Sequence, residues 1–169
     1  MMRFVNYNEI KLASSFACFE PSIDYIVTKF PRFPFDKFSD ANRTLSTQMK
    51  ATGEIMSIGR SFEESLLKGI RSLENKVDHL ELPILKDMSQ EELMNFIAGH
   101  TDERMYAIAE AIRKGVDLDD IYHETKIDKF FLEKIRNIVN LEKELASKPW
   151  DLETFKKAKK NGFADSYIA

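Results

Sequence analysis

Residues able to do chemistry are few in this sequence and fall in two places. Asp117, Asp119, Asp120, His123 and Glu124 gather carboxylates and an imidazole in one stretch, with Asp119 or Asp120 about a helical turn from His123. That grouping has the donor types of a divalent-metal site. The same acids are what a helix start collects, because the helix dipole favours negative charge there. The second explanation is the simpler one, and no metal site is expected. The other place is Glu54, a carboxylate inside the apolar run Gly53-Glu54-Ile55-Met56-Ser57-Ile58-Gly59. A carboxylate buried alone is costly, so Glu54 either points out of its sheet or pairs with Arg60 or Lys50.

The remaining reactive side chains lack companions. His79 and His100 have no partner within reach along the sequence. Cys18 has no neighbouring histidine or basic residue to activate it and reads as a packed thiol. There is no Gly-x-x-x-x-Gly-Lys-Ser/Thr motif and no glycine-rich phosphate loop. Gly53 and Gly59 are better explained as strand boundaries. No catalytic residue, cofactor ligand or metal ligand is therefore expected.

With 169 residues, 43% hydrophobic and 31% charged, the chain has room for one domain with a real core, or one and a half. The formal net charge of −3 draws it neither to nucleic acid nor to an anionic membrane. The single cysteine excludes a disulfide within this sequence and fits a reducing, cytoplasmic setting. No apolar run approaches the ~20 residues that span a bilayer. Asn6, Asn8, Glu9 and Lys11 interrupt the only apolar stretch near the start, which argues against a signal peptide.

The elements that must position these residues follow from patterning. Ile23 to Phe30 is rich in β-branched and aromatic residues and predicts a strand, with Thr52–Ile58 as its expected partner. Pro31 to Phe38 holds two prolines among phenylalanines and is expected to continue no regular element. Ala41 to Lys50 reads as a polar connection with room for one helical turn. Ser61 and Glu64 have the spacing of a capping box, opening a helix with Phe62, Leu66, Ile70 and Leu73 on one face. Asn75 to Asp87, with Pro83 and mixed charges, reads as the linker and domain boundary.

Beyond that boundary every signal is helical. Ser89 and Glu92 form a second capping box, and Gly99 is expected as the left-handed stop of that helix. Met105, Ile108, Ala109 and Ile112 form the next stripe, ending at Gly115. A short helix follows Asp117 or Leu118. Asp128 caps the longest helix, with Phe131, Leu132, Ile135, Ile138, Val139 and Leu145 as its stripe and Pro149 as its stop. Trp150 to Lys160 predicts a last amphipathic helix, closed by Asn161-Gly162. The order helix, Gly115, short helix, turn, longer helix over Ile108 to Ile138 is also that of a helix-turn-helix DNA reader. Against it, Lys129, Lys134 and Arg136 are offset by Asp128 and Glu133, and the short helix is acidic. A free-standing helical interaction module is the other alternative.

Three stretches carry a family resemblance: Phe19-Glu20-Pro21-Ser22-Ile23-Asp24-Tyr25, then Pro31-Arg32-Phe33, then Gln48-Met49-Lys50 through Gly59-Arg60. In this order they resemble the end of the first ATP-grasp half of the carbamoyl phosphate synthetase large subunit. Ile127-Asp128-Lys129-Phe130-Phe131-Leu132 and Asn161-Gly162-Phe163-Ala164-Asp165 resemble its helical connection, or oligomerisation, domain.

The resemblance implies a mainly α fold: an all-α oligomerisation/connection domain over 75–169, preceded by a small incomplete α/β remnant over 1–74. Met1 to Ser15 would be the tail of the severed lobe. It implies a connecting and oligomerising role with no catalytic site of its own. The parent enzyme would use glutamine or ammonia, bicarbonate and two ATP, with Mg or Mn and K, to make carbamoyl phosphate for pyrimidine and arginine biosynthesis. Met49, Thr52 and Glu54 match positions lining the passage that carries the carbamate between the ATP sites. The expected partners are a second copy, the remainder of the large subunit and the glutaminase small subunit, with no nucleic acid and no membrane. Tyr122 and Phe130 are the candidate interface anchors, since aromatics are enriched at interface centres; the alternative for both is a place in the core.

Overall fold

The structure, a computed structural model, describes residues 24–35, 37–38 and 40–168. Two β-rich segments pair first. Strands β1 (Ile26–Arg32) and β2 (Gly53–Gly59) run antiparallel, with Ile26 opposite Gly59 and Arg32 opposite Gly53. The expected pair is present, but β1 passes through Pro31 to Arg32. A proline is tolerated in an edge strand, where its missing N–H need not break a ladder, and β1 has a bonded neighbour on one side only among the described residues. The expectation that no regular element includes Pro31 is corrected accordingly.

One face of this ribbon is covered and the other is not. Phe30, Ser57 and Gly59 are buried, whereas Val27, Met56 and Ile58 on the opposite face are exposed. The cover is helix α1 (Phe62–Ser72), and its approach is set by Gly69. A Cβ at Gly69 would stand 2.2 Å from the Phe30 ring and 2.9 Å from Ser57 Oγ, so only glycine admits this contact. Beside it, Ser57 Oγ donates to the Ser65 carbonyl at 2.7 Å and Ser65 Oγ to the Ser57 carbonyl at 2.9 Å. The two buried hydroxyls satisfy each other's backbone.

The α1 cap departs slightly from the capping-box pattern. Ser61 Oγ accepts from Glu64 N at 3.2 Å, while the Glu64 carboxylate accepts from Arg60 N at 2.7 Å, one residue before the cap. Leu66, Leu67 and Ile70 point into the core. Residues 75–87, read from composition as a linker, hold the short helix α2 (Pro83–Lys86) and bury His79, Leu80 and Leu85. A single buried cluster thus takes side chains from both sides of residue 74, from Phe30 to Phe163.

Helix α3 (Gln90–Ala98) carries a full capping box, Ser89 with Glu92. Gly99 is not its left-handed stop: Gly99 has φ −70°, and His100 takes φ 52° instead. The reason is long-range, since the carbonyl of His100 is held by Leu45 N at 2.9 Å and Thr44 bridges Thr101. Residues 41–50 contain no helical turn and are tied to the bundle here.

Helix α4 (Arg104–Arg113) closes as expected at Gly115, φ 85°, with Val116 N on Ala111 O at 3.0 Å. Asp117 caps α5 (Leu118–Thr125), and Asp128 caps α6 (Lys129–Ser147). The α6 stripe is Leu132, Ile135, Ile138, Val139 and Leu141; Phe131, placed there by periodicity, is 43% exposed. Helix α7 (Leu152–Lys160) starts at an Asp151 cap, so Trp150 stands outside it. It is not the last, because α8 (Asp165–Ile168) follows the turn at Gly162. The α3 helix packs on α4 and α5, and α6 packs on α1, α4, α5 and α7. The whole is a mainly α fold with a small two-stranded appendage.

Candidate functional site

The start of α6 carries an aromatic group that the bundle leaves in solvent. Asp128 fixes this helix end by accepting from Phe130 N at 2.8 Å, which sends Phe130 and Phe131 out beside Phe62 at the start of α1. The Phe62 ring centroid lies 6.4 Å from that of Phe130 and 5.4 Å from that of Phe131, and Phe130 and Phe131 stand 5.3 Å apart. Phe130 is 53% exposed. Edge-on contacts of this kind add modestly to packing, and three rings together still present a broad apolar surface.

Tyr122 lies on α5 and is half-buried. The Lys126 and Lys129 ammonium groups lie over its ring, at 5.7 and 5.4 Å. Lys129 is also bonded to Asp119 at 2.6 Å, and that hydrogen bond raises the Lys129 ammonium and lowers the Asp119 carboxyl from their ordinary values. Asp117 is occupied as the α5 cap, accepting from Asp119 N. The acidic stretch therefore serves a helix start and an ion pair. Along α6, Lys134 reaches Glu63 at 3.4 Å and Arg136 pairs with Glu133. The basic residues a DNA reader would need are thus matched by acids, and nothing here supports that alternative.

Met49 and Glu54 lie near the ribbon but do not converge on one pocket. Met49 is 92% exposed. Thr52 is exposed, its hydroxyl 3.4 Å from the Arg32 carbonyl. Glu54 points out of the sheet and pairs with Lys29 on β1 at 2.7 Å, both ends exposed. Of the two alternatives expected, the outward orientation is the one seen, and the ion pair that accompanies it is with Lys29 and not Arg60 or Lys50: antiparallel pairing brings Lys29 alongside, which separation in sequence concealed.

The most elaborate polar centre was invisible to the sequence. His79, without a partner in sequence, lies buried with Nε2 2.7 Å from Glu142 Oε1 on α6. Arg113 at the end of α4 forks onto the same carboxylate, Nε to Oε2 at 2.7 Å and Nη2 to Oε1 at 2.8 Å, and also donates to the Leu80 carbonyl at 2.8 Å. Burial pushes the Glu142 carboxyl up, but the hydrogen bonds from Arg113 and His79 win and hold it below the usual carboxylate range. Burial works against the Arg113 charge in the same way, and Glu142, Glu110 and Glu81 together raise it. The His79 ring stacks on Tyr167, centroids 3.7 Å apart, whose hydroxyl donates to Glu81 Oε1 at 2.8 Å.

This centre joins the 75–87 segment, α4, α6 and α8. It holds no exposed nucleophile and offers its charges to one another, so it is a structural lock. Cys18 lies outside the described residues. A family model, that of the carbamoyl-phosphate synthetase large chain oligomerisation domain, matches residues 54–169.

Proposed function

Because the chain belongs to the family of the carbamoyl-phosphate synthetase large chain oligomerisation domain, with a connecting and oligomerising role, we propose that it pairs as a homodimer. The observation that carries this reading is the aromatic cluster where α6 starts beside α1, in which Phe130 and Phe131 are exposed against a partly buried Phe62. Soluble proteins seldom leave such a patch uncovered, and two-fold pairing is the commonest association of identical chains. The interface draws on the helices between Ser89 and Ala146, with Phe130 and Tyr122 as anchors.

In the parent enzyme the helical part would join two synthetic halves, and residues 1–74 would close the first ATP-grasp lobe. Its partners would be the remainder of the large subunit and the glutaminase small subunit, in the cytoplasm. The parent reaction would be synthesis of carbamoyl phosphate from glutamine or ammonia, bicarbonate and two ATP, with Mg or Mn and K, feeding pyrimidine and arginine biosynthesis. Met49, Thr52 and Glu54 would then line the carbamate passage only once the opposite wall is supplied. Their exposure supports a role completed by other segments. Sedimentation at micromolar concentration is the test of association: a dimer–monomer equilibrium is expected, and a monomer at every concentration would refute the reading. No helix is long and apolar enough to cross a membrane among the described residues.

A further inference from the structure

Between the aromatic loop after β1 and the starts of α1, α4 and α6 lies a cavity of about 630 Å³. That is the size of a small-molecule site. Phe33, Phe35, Phe62, Leu66 and Phe131 line its apolar walls, and Phe33 and Phe35 stack with centroids 5.6 Å apart. Its polar wall includes Arg43, Asp102 and Glu103 and, beside them, three further residues, Thr101, Arg104 and Tyr106.

Those three residues share a property. Among the described residues, the buried side-chain atoms with no hydrogen-bond partner are Thr101 Oγ1, Arg104 Nε and Nη2, the Tyr106 hydroxyl and, elsewhere, His79 Nδ1. All but the last belong to this one wall. A buried donor without a partner is costly, the more so when charged, so the cluster points to a missing acceptor. Tyr106 is only 4% exposed. Burial, then the nearby Glu103 and Asp102 charges, push its hydroxyl up to about 12, which keeps it a donor.

The charge of the missing group follows from what is already matched. Arg43, on the same wall, is already held: it is forked onto Asp102 at 2.9 and 2.8 Å and bonded to Glu103 at 2.7 Å. Arg32 donates to the Phe33 carbonyl. Burial disfavours the Arg104 charge, with Glu124 acting the other way, and no ion pair among the described residues relieves it. The guanidinium fork matches a carboxylate in shape and charge.

We propose that this cavity binds an amphiphilic monocarboxylate, its carboxylate on Arg104 and Tyr106 and its apolar body among Phe33, Phe35, Phe62, Leu66 and Phe131. The site is independent of the oligomerising role, though it opens beside the aromatic cluster through Phe62 and Phe131.

Decanoate, decanol and decylammonium, titrated calorimetrically into the full chain, test it. Decanoate is expected to bind at least about tenfold more tightly than decanol, the contribution of a charge-assisted hydrogen bond, and decylammonium more weakly than both. Arg104→Met should erase the preference for decanoate over decanol, and Tyr106→Phe should reduce it in part. Equal affinities for decanoate and decanol in the unsubstituted chain, or binding of neither, would overturn the proposal. That comparison decides even where Arg104→Met does not fold. Sedimentation with each probe adds a further outcome: a dimer dissociated equally by decanoate and decanol would assign the cavity to a second copy and sink the carboxylate reading.

Discussion

His79 Nε2 and Glu142 Oε1 lie 2.7 Å apart across 63 residues of sequence, and Arg113 closes on the same carboxylate from α4. The trio welds a segment that reads as a linker to the two central helices. Removing one member of a buried ionic group leaves the others uncompensated, at about 3–5 kcal/mol. Glu142→Gln is therefore expected to destabilise the chain by about that amount in urea unfolding. A loss below about 1 kcal/mol would show that water reaches the centre and screens it.

The same carboxylate sets a pH dependence. Glu142 is held below its ordinary value of 4.5, so its stabilising contribution is fully present above that value and fades as pH falls below it. Unfolding free energies of the native chain should decline on acidification below about 4.5, and Glu142→Gln should flatten that decline. An unchanged acid profile in the variant would place the dependence on other carboxylates.

Gly69 offers a test in which two effects oppose. Alanine would favour an isolated helix by about 1 kcal/mol. In this fold its Cβ would enter the Phe30 ring, and overpacking costs about 1–3 kcal/mol. Net destabilisation of Gly69→Ala is expected, with loss of protection at β1 amides in hydrogen exchange. A stabilised variant would mean that the ribbon shifts freely on α1.

Phe130→Ala separates assembly from folding. Phe130 is 53% exposed, so its truncation should change monomer stability by no more than about 0.5 kcal/mol. Loss of dimer in sedimentation with an unaltered helical signal is the expected result. A dimer as tight as the native one would move the interface elsewhere.

Mg-ATP should leave the melting temperature of the chain unchanged, because the sequence encodes no phosphate loop. A ligand present at a hundred times its Kd would add roughly 2.7 kcal/mol. A shift of several degrees would therefore reveal a nucleotide site built without the usual motif.

Local chemistry is what this sequence determined by itself. Ser61, Ser89, Asp117 and Asp128 start their helices, and Gly115 and Gly162 end theirs, because each acts through bonds spanning only a few residues. Apolar periodicity found the cores of α1 and α6 for the same reason. Tertiary structure decided whatever depends on distant partners. Periodicity put Phe131 on the α6 stripe, but whether that stripe is covered depends on how α1 lies beside it. Gly99 yielded its expected conformation to His100 because Leu45 holds the His100 carbonyl. Likewise Arg43 meets Asp102 across 59 residues and Arg71 meets the Gly162 carbonyl across 91. Charged residues in a sequence show no preference among the many opposite charges available to them. Only packing of the apolar faces brings one pair together, out of water, where the bond between them strengthens.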